Sequence, residues 1–175
     1  PQSLINTFMT NSINFVTTGA EGGITNTIIV PGKNLDGTPA NVGFSIDWVQ
    51  IHMNEDISNA VINGSNNPIS PLYYNQDGIN FLQQVAVNTA NRAISTGLAL
   101  GQVIVTSLDP NEFATNVSTG AYRGNFVINA VPFSTYTGQN PSHYASGIYG
   151  GLQAAYVPQY GFENIVFNLN VTQFA

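Results

Sequence analysis

The sequence predicts a single α+β domain over residues 1–175, in which a mixed or antiparallel sheet packs against two long amphipathic helices. Two observations predict this class. Apolar residues recur at steps of three and four in residues 46–62 and 78–96, which is the period of an amphipathic helix. Apolar and polar residues alternate strictly in residues 165–172, which is the period of a strand. A chain of 175 residues is long enough to bury a substantial core.

The first long helix is predicted to begin after Ser45, a favourable N-cap residue, and to end at the Asn-Gly pair of residues 63–64. The second is predicted to begin after Asp77 and to end at Gly97. Each helix carries one apolar stripe, which is expected to face the core. The stripe residues are Ile46, Val49, Met53, Ile57 and Ala60 in the first helix and Ile79, Leu82, Val85, Ala86 and Ala93 in the second.

Shorter elements are predicted on both sides of these helices. Turn-forming residues and β-rich segments before residue 31 predict a short helix followed by a hairpin. An Asn-Pro pair at 140–141 predicts a helix start, because proline is favourable at the first helical position. The remaining expected elements are strands at 103–106, 126–133 and 152–157, and a loop at 109–120.

The composition excludes some partners. Charged residues supply 7% of the chain, against about 25% in an ordinary soluble domain, and asparagine alone supplies 23 residues. The three basic residues, Lys33, Arg92 and Arg123, cannot form the basic stripe that neutralises phosphates, so a nucleic-acid partner is excluded. No apolar run approaches the roughly 18 residues that span a bilayer, so no membrane partner is expected. A charge-poor surface favours permanent self-association over life as a dilute monomer.

The sequence predicts no catalytic site, no cofactor and no metal site. It contains neither a phosphate-binding loop nor a Gly-x-Ser-x-Gly nucleophile motif. His52 has Glu55 and Asp56 one turn later, an arrangement that can bind a metal, but a solvated polar helix face is the favoured interpretation. Because the chain has no cysteine, it has no thiolate ligand and no disulfide framework.

Three residues are predicted to contact a partner. Arg92 lies beside the apolar stripe of the second helix, where it is expected to form a structural ion pair or to contact another protein. The eight tyrosines lie within residues 73–160, and tyrosine favours interfaces because it buries a ring and keeps a polar tip. Tyr144 and its neighbour His143 are therefore predicted contacts, although tyrosines that cover the core of their own domain are an equally good interpretation.

Five local motifs follow one another in a characteristic order. They are Asp-Trp at 47–48, Ala-Val-Ile-Asn-Gly at 60–64, Tyr-Asn-Gln-Asp-Gly-Ile at 74–79, Gly-Leu-Ala-Leu-Gly at 97–101 and Pro-Ser-His-Tyr-Ala-Ser-Gly-Ile-Tyr at 141–149. A segment at 6–30 precedes the first long helix, and residues 162–174 follow the last motif. This order resembles the C-terminal part of the sheath proteins of contractile phage tails, and the resemblance covers nearly the whole chain.

The resemblance implies a structural virion protein. Sheath subunits stack as hexameric rings around a tail tube, and their terminal arms add strands to the sheets of neighbouring subunits. The expected partners are therefore other copies of this chain and a tail tube protein, and the expected location is the virion. Sheath proteins are usually longer, so the resemblance implies the C-terminal part of a longer sheath-like protein, or a reduced relative.

The alternating segment near the C-terminus is the predicted subunit interface. Its apolar side chains must be buried somewhere, and a strand can complete its own sheet or pair with the exposed edge of another chain. Other classes stay open: a tail tube, baseplate or head-decoration protein, a secreted glycan-binding adhesin, which two helices disfavour, or an enzyme with an unrecognised site. The predicted interface residues are Ile165, Phe167, Asn168, Leu169, Asn170, Val171 and Thr172.

Overall fold

The computed structural model describes residues 2–21, 24–30 and 32–160. Its helices and strands confirm the predicted α+β class. Strand β3 pairs in parallel with β4, and β4 pairs antiparallel with β5, so this sheet is mixed. No helix within the described residues is long and apolar enough to cross a membrane. The helices are α1 (Gln2–Thr10), α2 (Ala40–Ser65), α3 (Gln76–Ser95), α4 (Pro110–Ser118), α5 (Phe133–Gln139) and α6 (Pro141–Ala145), and the strands are β1 (Phe15–Glu21), β2 (Ile24–Val30), β3 (Val103–Thr106), β4 (Phe126–Ala130) and β5 (Leu152–Ala155).

The core lies around β4, the central strand of the order β3-β4-β5, whose five residues are all buried. Helix α3 packs on this sheet through alanines, whose small side chains let the helix approach the strand closely. Helix α2 packs against α3, so of the two long helices α3 is the one that lies directly on the sheet. The buried cluster comprises Val49, Ala86, Ala90, Ala93, Ala99, Phe126 and Ile128.

Helix α2 begins earlier than its sequence predicts, at Ala40, and the predicted N-cap role of Ser45 is wrong. The backbone N–H of Ala40 donates to the carbonyl of Gly32 at 2.9 Å, so the connection from the hairpin fixes the helix start. Ser45 is buried within the helix, and its hydroxyl donates to the carbonyl of Leu98 at 2.7 Å. The Ser45 hydroxyl therefore makes a tertiary hydrogen bond instead of the predicted cap hydrogen bond.

Helix α3 is capped by Asn75, and the predicted cap role of Asp77 is wrong. The Asn75 side chain accepts from the backbone N–H of Gly78 at 2.9 Å, which satisfies one of the free donors of the first turn. Asp77 lies within that first turn, where a carboxylate interacts favourably with the helix dipole.

The sequence patterns did not predict two helices of the second half, α4 and α5. Helix α4 occupies the predicted loop: the Asp109 side chain accepts from the backbone N–H of Asn111 at 3.0 Å, and Pro110 follows. Helix α6 also starts with a proline, but the predicted cap role of Asn140 is wrong, because its side-chain amide donates to the Tyr136 carbonyl and makes no cap hydrogen bond. Strand β4 ends at Ala130 rather than at residue 133, because Pro132 has no N–H to donate and helix α5 begins directly after it.

The predicted short helix and hairpin are confirmed as α1, β1 and β2, here called the arm. Strands β1 and β2 form a two-stranded antiparallel ribbon, with Phe15 opposite Val30 and Val16 opposite Ile29. Helix α1 touches the ribbon where the rings of Phe8 and Phe15 lie 5.7 Å apart.

Candidate assembly surfaces

The arm does not bury its own apolar residues. Among the residues whose burial is described, the first buried one along the chain is Val42, beyond the arm. Val16 and Ile29 are 69% and 64% exposed, and as cross-strand partners they share one face of the ribbon. We call this the outer face. A two-stranded hairpin is marginally stable in water by itself, so an exposed apolar face on one requires a cover.

The two ends of the ribbon are joined to each other by hydrogen bonds at its base. The Asn14 side chain donates to the carbonyl of Lys33 at 2.7 Å and accepts from the backbone N–H of Lys33 at 3.0 Å. Within the described residues, β1 and β2 pair with each other and with no further strand. The ribbon is therefore closed at its base, and both of its strand edges can pair with another chain.

Helix α2 is apolar on two opposite sides. Val42, Ser45 and Val49 are buried on one side. Phe44, Ile51 and Ile62 lie on the opposite side, spaced by whole turns, and are 61%, 60% and 57% exposed. We call this stripe the outer side of α2. A helix that is apolar on both sides is typically covered on both, so the outer side is a second candidate surface.

An open trough of about 580 Å³ lies between the second half of α2, the start of α3 and β5. Leu82, predicted to be core, is half-buried in its wall. Tyr149 donates its hydroxyl to the carbonyl of Val131 at 2.8 Å, and burial raises the pKa of Tyr149 above its ordinary value. Burial also raises the pKa of Tyr74, whose hydroxyl donates to the carbonyl of Ile148 at 2.9 Å. The trough is therefore an uncharged, apolar surface rimmed by neutral tyrosines.

Arg92 and the predicted histidine–carboxylate cluster are held by contacts within the fold. The Arg92 guanidinium lies 2.8 Å from the Asp56 carboxylate and 5.6 Å from the ring centre of Trp48. His52 stacks on Trp48 with ring centroids 4.0 Å apart. His52 and Asp56 thus face different partners, and no group of three metal-binding side chains occurs within the described residues.

His143 and Tyr144 belong to an aromatic cluster that the sequence analysis did not assemble. His143 Nδ1 lies 2.9 Å from the Tyr136 hydroxyl oxygen, which also accepts from the backbone N–H of Gly150 at 2.8 Å. Tyr144 is about half exposed, and its ring lies 5.3 Å from that of Tyr74. The sequence feature that indicates this cluster is the crowding of all eight tyrosines into residues 73–160. A partner role for Arg92, His143 and Tyr144 stays a prediction.

The predicted C-terminal interface lies outside the described residues, so it stays a prediction as well. Its members are Ile165, Phe167, Asn168, Leu169, Asn170, Val171 and Thr172.

No family model, curated protein or solved structure matches this chain. The described residues form an α+β protein whose arm and longest helix each carry an apolar face that these residues leave uncovered. Such faces are typical of subunits that complete their packing against other chains.

Proposed function

We propose that this chain is a structural virion protein, a subunit of a contractile phage tail sheath that assembles as stacked hexameric rings around a tail tube. The arm carries the proposal, because its outer face leaves Val16 and Ile29 in water beside the base of the ribbon. Ordering such a ribbon costs conformational entropy, and little apolar burial within the same chain offsets that cost. The order of sequence motifs, which resembles that of sheath proteins, points to the particular assembly.

The chemistry of the arm suits contact with another copy. Free strand edges supply main-chain hydrogen bonds, and alternate side chains supply specificity, as in other cases of strand addition between chains. The segment at 165–172 serves as a second such element in the proposal. No catalytic step is assigned to the chain.

The charge-poor composition supports the same proposal. Charged residues make up 7% of the chain, so permanent contacts between copies desolvate few charges. The many asparagine side chains keep the exposed surface polar without adding charge.

Electron microscopy and analytical ultracentrifugation of the purified chain test the proposal. Rings, tubes or helical arrays are expected, and addition of the tail tube protein is expected to order them into a sheath. Capsid-bound copies, or a structure built by the chain without a central tube, would instead indicate another virion role. A monomer at all concentrations, especially one that binds glycans, would contradict the proposal.

A pair of matched variants assigns assembly to the arm. The double substitution Val16→Asn with Ile29→Asn removes the apolar outer face, so it is expected to abolish assembly while thermal unfolding of the rest of the chain is unchanged. Ile69→Asn is the control, because Ile69 is 92% exposed on the loop after α2. Normal assembly of the double variant would show that the arm does not join the copies.

A further inference from the structure

Two apolar surfaces of this chain match each other in chemistry. The outer face of the ribbon presents Val16 and Ile29, and the outer side of α2 presents Phe44, Ile51 and Ile62. All five side chains are more than half exposed. Because every copy in a self-assembly carries both surfaces, each one has a possible cover on a neighbouring copy.

The stripe on α2 is longer than the apolar pair on the ribbon. It runs from Phe44 to Ile62, which is 18 residue steps or about 27 Å at the rise of an α-helix. Val16 and Ile29 form one cross-strand pair, the second from the base of the ribbon, close to the Asn14–Lys33 hydrogen bonds. This pair can therefore cover one part of the stripe, and Ile51 is the stripe residue nearest its middle.

Charge favours the same arrangement. Asp47 and Glu55 are exposed one turn before and one turn after Ile51, so carboxylates flank the middle of the stripe. Lys33 follows the ribbon at its base and forms no ion pair with the described residues. Since the chain carries a net charge of -6, a contact that places Lys33 near these carboxylates reduces repulsion between copies and favours one orientation.

We infer that the outer side of α2 is the receiving surface for the arm of a second copy, whose ribbon packs Val16 and Ile29 on the stripe at Ile51, between Asp47 and Glu55. The inference rests on the proposed function, that copies associate through their arms. In the ring of the proposed function, each subunit uses its arm and its helix with different neighbours, so the contact is heterologous and generates a ring or a helical array. Reciprocal exchange, in which two copies lay their arms on each other's helices, would instead close a pair.

The ribbon does not cover the helix of its own chain. Val16, Ile29 and Phe44 are all exposed in the structure of the single chain. The base of the ribbon is fixed at the start of α2 by the hydrogen bond from Ala40 to Gly32. Contact with a second copy covers both surfaces at once.

Crosslinking tests this inference cleanly, because the chain has no cysteine of its own. Two single variants, Ile29→Cys and Ile51→Cys, are mixed and treated with a short bismaleimide, which tolerates small shifts in register. The expected product is a covalent dimer of the two variants, several-fold more abundant than with Ile69→Cys as the helix-side partner. Phe44→Cys replaces Ile51→Cys if the latter does not fold.

The double variant Ile29→Cys with Ile51→Cys separates the possible arrangements. A ladder of covalent multimers is expected when the arm and the helix of each copy meet different neighbours. A product that stops at the dimer would show reciprocal exchange in a closed pair and would overturn the inferred array. A crosslinked monomer would show that the arm folds onto its own helix and would overturn the inference. Preferential crosslinking of Ile29→Cys to Val61→Cys would place the arm in the trough, which also overturns it. Assemblies in the microscope without the expected crosslink would refute this inference alone, whereas a strict monomer without crosslinks would refute the proposed function as well.

Discussion

The arm and the body around β4 are both rich in β-branched residues, yet they differ completely in burial. All five residues of β4 are buried, whereas no residue of the arm with described burial is. Apolar burial is the main stabilising term in folding, so the body is explained by its own chain and the arm is not. The comparison shows that the arm is built for a contact that the single chain does not supply.

The hydrogen bonding of polar groups also differs between the body and the arm. The Asn129 side chain in β4 is fully buried, and its amide oxygen accepts from the Thr106 hydroxyl at 3.0 Å and from the Leu108 N–H at 2.7 Å. Its amide nitrogen donates to the Leu108 carbonyl at 3.1 Å and to Gln153 Oε1 at 3.0 Å. The body satisfies the Asn129 amide fully within the fold, although the buried Tyr156 hydroxyl has no hydrogen-bond partner among the described residues. The ribbon edges have no strand partner among the described residues.

The largest expected effect comes from the same substitution made in both regions. Phe126→Ala removes a fully buried ring that stacks on Tyr156, and it is expected to lower the free energy of unfolding by about 3–5 kcal/mol. Phe15→Ala in the ribbon is expected to cost about 1 kcal/mol or less, because Phe15 is only partly buried. Denaturant unfolding of the two variants at low protein concentration measures the difference. Equal losses would remove the distinction between arm and body.

A smaller effect is expected from the buried amide. Asn129→Ala leaves the Leu108 N–H and the Gln153 side chain without their partner, and an unsatisfied buried group costs about 1–3 kcal/mol. The free energy of unfolding is expected to fall by about 2–4 kcal/mol. Asn88→Ala is the control, since Asn88 is exposed on α3. A loss no larger than that of the control would show that the network does not stabilise the sheet.

The smallest effect concerns alkaline pH. Burial raises the pKa of Tyr149 in the folded chain, so the unfolded chain loses that proton first. The stability contribution of Tyr149 is therefore complete below its unfolded pKa of about 10 and is lost as pH rises above it. Tyr149→Phe is expected to make the alkaline loss of stability less steep. Identical profiles of the wild type and Tyr149→Phe between pH 9 and 11 would contradict this.

The sequence predicted those features that depend on local period. Helices α2 and α3 and the hairpin at the start of the chain all occur where the pattern placed them, although α2 begins at Ala40 rather than at Ile46. The predicted core stripe of α2 is wrong at Ile46, which is exposed, whereas Val49 is buried. The cap of α2 was missed because the Ser45 hydroxyl is used in a tertiary hydrogen bond. Helix α4 was missed although Asp109 and Pro110 form the same kind of polar-residue-plus-proline pair that correctly predicted a helix start at residue 141.

The candidate surfaces were harder to predict, because exposure depends on which other elements pack on a face. The ribbon was predicted as a hairpin, but its local pattern does not tell whether Val16 and Ile29 are covered. For α2, a signal was present: Ile51 and Ile62 fall off the predicted stripe, and Phe44 precedes the predicted start. Apolar residues on both sides of a helix indicate two partners, whereas a search for one stripe finds only the first.

Amide hydrogen exchange of the ribbon tests most directly whether the arm is completed by another copy. The N–H groups of β1 and β2 are expected to exchange rapidly in the dilute chain and to become protected on assembly, while those of β4 are protected in both states. The same experiment on assembled and dilute chain reports both strands at once. Ribbon amides already protected in the dilute monomer, or unchanged on assembly, would contradict the assignment of the arm to a second copy.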